Sequence, residues 1–147
     1  CVFTTTGLLW EWLGLVLEQK LYAPASAESE PRRAAQMKDV LRFIRSRYAQ
    51  DITLAQLAAA AGMAPTYFCR VFRRLTGRSP IDYVNYYRIE CASELLCATS
   101  ESITDIALRC GFGDLNYFIR LFRRYKKCSA RTYRRTHAAE TAAAPLP

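Results

Sequence analysis

Thr66, Cys69 and Arg70 form one small group of contact-capable residues, and Leu115, Asn116, Ile119 and Arg120 form another about fifty positions later. A guanidinium offers a planar fork of donors that can grip two acceptors at once, and a carboxamide offers a donor beside an acceptor. Leucine and isoleucine offer apolar surface that suits a methyl group. Each group runs into clustered cations, Arg73 and Arg74 in one and Arg123, Arg124, Lys126 and Lys127 in the other. Cations of this kind hold phosphate by charge. Neither group holds a nucleophile with a nearby base, so the chemistry they suit is recognition by contact.

The elements that must position these residues are written twice. Residues 53–74, TLAQLAAAAGMAPTYFCRVFRR, return at 102–124 as SITDIALRCGFGDLNYFIRLFRR. Leu57-Ala58 answers Ile106-Ala107, Gly62 answers Gly111, and Tyr67-Phe68 answers Tyr117-Phe118. Each copy reads as a short helix, a glycine-marked turn and a second helix ending in arginines, which is the grammar of a helix-turn-helix. Thr53 with Gln56, and Ser102 with Asp105, place a capping residue three positions ahead of its polar partner at each start. Pro65 falls in a first helical turn, where its missing N–H is harmless. Gly77 closes the first copy's second helix.

Helical spacing sends Leu54, Leu57, Ala58, Phe68, Val71 and Phe72 into one core, and Ile103, Ile106, Ala107, Phe118, Leu121 and Phe122 into another. The outward face is then Pro65, Thr66, Cys69, Arg70 and Arg73 in the first copy. In the second it is Leu115, Asn116, Ile119, Arg120 and Arg123. Arginine can pair with guanine O6/N7 and asparagine with adenine N6/N7 in the major groove, while Leu115 and Ile119 suit thymine methyls. The base-contact candidates are therefore Thr66, Cys69, Arg70, Leu115, Asn116, Ile119 and Arg120. The phosphate candidates are Arg73, Arg74, Arg123, Arg124, Lys126 and Lys127, joined by Thr53 and Ser102 at helix N-termini, where the helix dipole favours an anion.

Around the repeats the pattern predicts a helix over 35–48 with Val40, Leu41, Phe43, Ile44 and Tyr48 inward. Ser79-Pro80 opens a long linking helix, with Ile81, Val84, Tyr87, Ile89, Cys91, Ala92, Leu95 and Leu96 inward. At about 1.5 Å per residue, roughly twenty residues reach about 30 Å. Successive major-groove segments on one face of B-DNA lie about 34 Å apart. A short closing helix is expected over 129–135, a disordered tail over 138–147, and no sheet. The stretch 7–22 reads as an additional apolar helix, and 23–34, rich in Ala, Ser, Pro and Glu, reads as a linker. The expected architecture is thus all-α: two helix-turn-helix subdomains over 35–137, joined by a long helix.

Charge follows the repeats. Residues 37–137 carry 18 Lys and Arg against 8 Asp and Glu, while the rest of the chain carries 3 against 5. That distribution is the footprint of a nucleic-acid binder rather than of charge scattered for solubility. The six cysteines contain no C-x-x-C pair, and the single histidine, His137, lies near the C-terminus. Reduced buried thiols fit better than a disulfide scaffold or a zinc site, so neither metal nor cofactor is expected. The apolar run 7–17 is too short to cross a bilayer, contains Glu11, and lacks a basic leader. No membrane association is expected, and the location expected is the cytoplasm, with the nucleoid. An enzyme, such as a repair methyltransferase acting through a cysteine, would need a cysteine with a histidine or acid partner at a suggestive spacing. A non-specific architectural DNA binder would need no polar reader such as Asn116.

With these residues in view, the chain from about Met37 to His137 resembles the DNA-binding domain of the arabinose-operon regulator (AraC/XylS) family. I-A-L-R-C-G-F-G-D-L-N-Y-F-I-R-L-F-R-R at 106–124 is similar to that family's signature in the second motif. L-A-x-x-x-G-M-x-x-x-Y-F-x-R-x-F-R-R-x-T-G-x-S-P at 57–80 is similar to its first. The resemblance implies a seven-helix, two-lobed domain spanning adjacent major grooves of an operator, in a bacterial regulator that activates transcription through RNA polymerase. It places base contacts at the seven positions already named. Two departures stand out: Lys127 where the family usually has glycine, and Ala130 where proline usually follows. The same resemblance makes residues 1–22 the tail of an effector-binding and dimerisation domain, so that a fragment is expected. The helix over 7–22 would then lie in a homodimer interface or pack on that absent domain.

Overall fold

The computed structural model describes residues 29–142, and side-chain surroundings for residues 32–137. The expected helix over 7–22, the first half of the linker (23–28) and residues 143–147 lie outside this range. Seven helices are described: α1 Ser29–Arg47, α2 Leu54–Ala60, α3 Pro65–Thr76, α4 Pro80–Ala98, α5 Ile103–Arg109, α6 Leu115–Lys126 and α7 Ala130–Ala142. No strand occurs among the described residues, so the all-α expectation holds.

Two compact units divide these helices. Within the described range, one is residues 29–47 with 52–83, and the other is residues 48–51 with 84–142. In the first unit α1 packs on α2 and α2 on α3. Met37, Val40, Ile44, Leu57, Ala58, Ala61, Phe68, Phe72 and Tyr83 are its buried apolar residues. Phe72 meets Phe68 at 5.3 Å and the edge of Tyr83 at 5.4 Å between ring centroids. Removing each phenylalanine from water contributes about 1.5–3 kcal/mol.

In the second unit α5 packs on α6 and α6 on α7. Ile89, Ala92, Leu96, Ile106, Ala107, Cys110, Phe112, Phe118, Leu121, Phe122 and Ala130 form one buried cluster. Ile103, expected inside, lies half-buried against that cluster, and Leu54 and Val71 of the first unit are likewise half-buried. The other nine core residues expected in the two copies are buried.

The structure differs from the sequence expectation in five places. Helix α1 starts at Ser29, inside the expected linker. Pro31 is tolerated there because it falls in the first turn. Helix α7 continues to Ala142, into the expected tail, through AAETA, four of whose five residues are good helix formers. Ile81 is 40% exposed, because the buried face of α4's first turns runs through Pro80, Tyr83 and Val84, and position 81 turns away from it. Tyr83, Asn85 and Ser93, which were not expected inside, are buried. Finally, the Ser102 cap is not a copy of the Thr53 cap. Thr53 forms the full box, its Oγ1 accepting from Gln56 N at 3.3 Å and its N–H donating to Gln56 Oε1 at 2.9 Å. Ser102 Oγ accepts from Asp105 N at 3.0 Å, but the Asp105 carboxylate takes the Ser102 hydroxyl at 2.6 Å. Aspartate is one methylene shorter than glutamine and falls short of the backbone N–H.

Two cations are built into the second unit. The Arg88 guanidinium donates to the carbonyls of Tyr48 and Gln50, each at 2.7 Å. Arg134 donates to the carbonyls of Leu96 at 3.2 Å and Glu101 at 2.5 Å. Their charges hold the turn at 48–51, the last turn of α4 and the segment after it, so part of the basic surplus is structural.

Candidate nucleic-acid interface

Helices α3 and α6 are each 12 residues long and neither contains an acidic residue. Each buries Phe at matching positions, Phe68 and Phe72 in one and Phe118 and Phe122 in the other, which turns the opposite face outward. Thr66, Arg70, Arg73 and Arg74 are exposed on α3, and Leu115, Asn116, Arg120, Arg123 and Arg124 on α6. Cys69 and Ile119, at matching places, are half-buried, and Ile119 leans on the core cluster of its unit. These two present an edge rather than a whole side chain.

The helix starts differ. Asp114 caps α6, its Oδ1 accepting from Asn116 N at 2.7 Å and Tyr117 N at 3.3 Å. In α3 the N-cap is Ala64, without a side-chain bond, and Pro65 is the first residue. A carboxylate thus stands beside the candidate reader Asn116. The capping grammar of an Asp before an apolar run makes Asp114 legible in sequence. Asp105 likewise puts a negative charge beside Ser102, whereas the Thr53 box is neutral.

The helix ends match closely. Gly77 closes α3 in the left-handed region, φ 71°, with its N–H on Arg73 O at 2.9 Å. Lys127 closes α6 in the same way, φ 61°, with its N–H on Arg123 O at 3.0 Å. The residue that departs from the family pattern therefore adopts the glycine conformation at an energetic cost. Helix α7 opens at Ala130, the second departure, without displacement relative to Pro80 of α4.

The phosphate candidates separate by environment. Arg73, Arg74, Arg123, Arg124 and Lys127 are exposed. Lys126 is turned in: its Nζ lies 2.6 Å from Glu90 Oε2, and the lysine side chain is only 16% exposed. It also stands 5.5 Å from the Tyr133 ring centre. Sequence pattern missed one further pair, Tyr117 and Asn85. Tyr117 is 38% exposed on α6, and its hydroxyl accepts from Asn85 Nδ2 at 3.0 Å.

The cysteines are free thiols in the described range. Burial pushes the Cys91 thiol up to about 11, with the Glu94 carboxylate raising it further, and pushes the Cys110 thiol up to about 12. Such thiols stay protonated and unreactive at neutral pH. Among the described residues no cluster of three His, Cys, Asp or Glu is placed to hold a metal ion. No helix described is long and apolar enough to cross a membrane.

Two helix-turn-helix motifs with basic, acid-free outer helices on matching cores define a DNA-binding domain of the transcription-regulator class. Residues 57–136 match the helix-turn-helix domain family. The chain is similar to the transcriptional activator RhaS of Klebsiella pneumoniae (strain 342), 37% identical over 74% of this chain and 39% of that protein. It is similar in structure to the DNA-binding domain of AdpA, a global transcriptional factor, in complex with a target DNA. There the TM-score is 0.68 at 28% identity, covering 74% of this chain and 98% of that one. A transcriptional regulator with an AraC-type DNA-binding domain from Chromobacterium violaceum gives a TM-score of 0.66 at 25% identity, covering 77% and 97%. The chain belongs to the AraC/XylS family. It spans about two fifths of the length of the curated relatives it matches.

Proposed function

We propose that this domain binds double-stranded operator DNA in a sequence-specific way and regulates bacterial transcription, as an activator that contacts RNA polymerase. Helix α3 reads one major-groove segment through Thr66, Cys69 and Arg70, and α6 reads the adjacent one through Leu115, Asn116, Ile119 and Arg120. Arg73, Arg74, Arg123, Arg124 and Lys127 hold backbone phosphates and set the salt dependence. Thr53, at a neutral helix start, is a better phosphate partner than Ser102, and Lys126 contributes least. Homodimerisation belongs to residues 7–22 or to a further domain.

The observation that carries this reading is the pair of acid-free helices, each with a polar and basic face exposed opposite a buried phenylalanine pair. Support for activation comes from the RhaS relatives, which are named activators. Support for the partner comes from the AdpA domain, which was solved with a target DNA.

The test is selection of binding sites from random duplexes at stated salt, with Arg70→Ala and Arg120→Ala variants. The expected result is an enriched site with two boxes about one helical turn apart, each variant relaxing a different box. Enrichment of no motif would replace this reading with a non-specific architectural role. Relaxation of one box by both variants would show that one motif is idle.

A further inference from the structure

Tyr117 stands among the candidate readers of α6, yet the repeat assigns it neither to the core nor to the outward stripe. Its hydroxyl, its ring and its backbone each have a partner. Asn85, only 8% exposed on α4, donates to the hydroxyl at 3.0 Å. The ring of Phe112, itself buried, lies 6.3 Å away at 59°. The Asp114 carboxylate holds the Tyr117 backbone N–H at 3.3 Å. Over this ring lies the Arg120 guanidinium, its Cζ 5.8 Å from the ring centre. No carboxylate pairs with Arg120 among the described residues. The face of an aromatic ring attracts a guanidinium through its quadrupole. A long side chain already held near its bound position loses less rotamer freedom on binding. The equivalent Tyr67 has different surroundings, lining a cleft with Arg32, Arg33 and Gln36 of α1.

The geometry points to Tyr117, fastened by Asn85, as a positioning residue that sets where Arg120 presents its guanidinium. It is thereby a determinant of the base preference of the second motif. This rests on the reading of Arg120 as a base contact. The linking helix α4 thus enters specificity without touching DNA, through one buried carboxamide.

The experiment compares site selection and competition binding for Arg120→Ala, Tyr117→Leu, Tyr117→Phe and the Tyr117→Leu/Arg120→Ala double variant. NMR of the Arg120 Nε–Hε group in the DNA-free protein accompanies it. Arg120→Ala is expected to erase preference at one base pair of the second box. Tyr117→Leu weakens preference at that same pair about two- to fivefold, the range expected for an exposed cation–π contact. It adds nothing further in the Arg120→Ala background. Tyr117→Phe keeps the ring, loses the Asn85 bond and falls between wild type and Tyr117→Leu. The first box is unchanged throughout, and the Arg120 resonance moves in Tyr117→Leu.

Four results would overturn the proposal. A Tyr117→Leu loss that is equal for all sequences, or that persists in the Arg120→Ala background, makes the tyrosine a direct DNA contact. An unmoved Arg120 resonance shows that the ring does not hold the guanidinium. Should Tyr117→Leu fail to fold, Tyr117→Phe with full wild-type discrimination would remove Asn85 from the argument and sink the proposal as stated. If Arg120→Ala alters no base preference, the base-reading role falls first and this inference with it. The resonance still reports separately whether the contact exists.

Discussion

Gly62 and Gly111 occupy the same place in the two repeats, yet replacing each by alanine should have very different consequences. Both adopt positive φ, 63° and 83°, where an L-residue costs about 1–2 kcal/mol. Alanine recovers about 0.4–1 kcal/mol by restricting the unfolded chain. Around Gly62 there is room, the nearest atom to an added Cβ being Gln36 Nε2 at 3.9 Å. Gly62→Ala should therefore cost about 0.5–1 kcal/mol. At Gly111 the same Cβ would stand 2.8 Å from Ala49 O, 2.9 Å from Ala49 C and 2.9 Å from Tyr48 O. These are backbone atoms of a turn that Arg88 holds through two 2.7 Å bonds. Making room means shifting that turn and weakening bonds to a charged donor, each of which contributes about 1.5–3 kcal/mol. The total for Gly111→Ala is then about 3–4 kcal/mol. Urea unfolding monitored by circular dichroism measures it. With a slope of about 1.5 kcal/mol/M, the midpoint should fall by about 2 M for Gly111→Ala and about 0.5 M for Gly62→Ala. Equal shifts for the two variants would refute the close-approach argument and leave only the backbone term.

Three further outcomes follow from the same geometry. Lys127→Gly should raise stability by about 1 kcal/mol in thermal melts, because glycine relieves the positive φ at the end of α6; a lower melting temperature would contradict this. Asp114→Ala should cost about 1 kcal/mol by uncapping α6. Asp114→Asn should keep most of the cap, remove a negative charge beside Asn116, and tighten DNA binding in low-salt titrations; weaker binding by the asparagine variant would count against the interface. Cys91 and Cys110 have thiol values near 11 and 12 in the fold against 9.0 unperturbed. The unfolded chain therefore loses these protons first. The thiol contribution to stability is complete below pH 9 and declines as pH rises toward 11–12, by at most about 1.4 kcal/mol per pH unit per thiol. Denaturant midpoints from pH 8 to 10.5 should fall less steeply in Cys110→Ala than in wild type, and parallel curves would exclude this origin.

Much of the fold is legible because the chain repeats itself. Phe68 and Phe118, or Leu57 and Ile106, support each other's placement, since the same spacing implies the same buried face twice. The exposed readers followed by subtraction. Less legible was everything that depends on a partner distant in sequence. Asn85 looks like an ordinary polar residue of α4 until Tyr117 is seen to need its donor. Lys126 looks like its neighbours Arg123 and Arg124 until Glu90 is placed beside it. Ile81 looks apolar enough to be inside, but the phase of α4 is set by Pro80, Tyr83 and Val84. Lys127 looked like an interruption of the pattern; its backbone takes the glycine conformation, a fact no composition carries.

The turn at residues 48–51 lies between α1 and α2 in the chain, both of the first unit, yet it is part of the second. Its carbonyls are the acceptors of Arg88 and the wall against Gly111. A chimera that exchanges the first motif with that of a relative must therefore leave Tyr48, Ala49, Gln50 and Asp51 behind with the recipient's second motif. Residues 84–147 expressed alone would lack the turn that takes the Arg88 bonds and packs on Gly111. In inheritance, these four positions should drift with the second repeat, across a stretch of chain that belongs by order to the first.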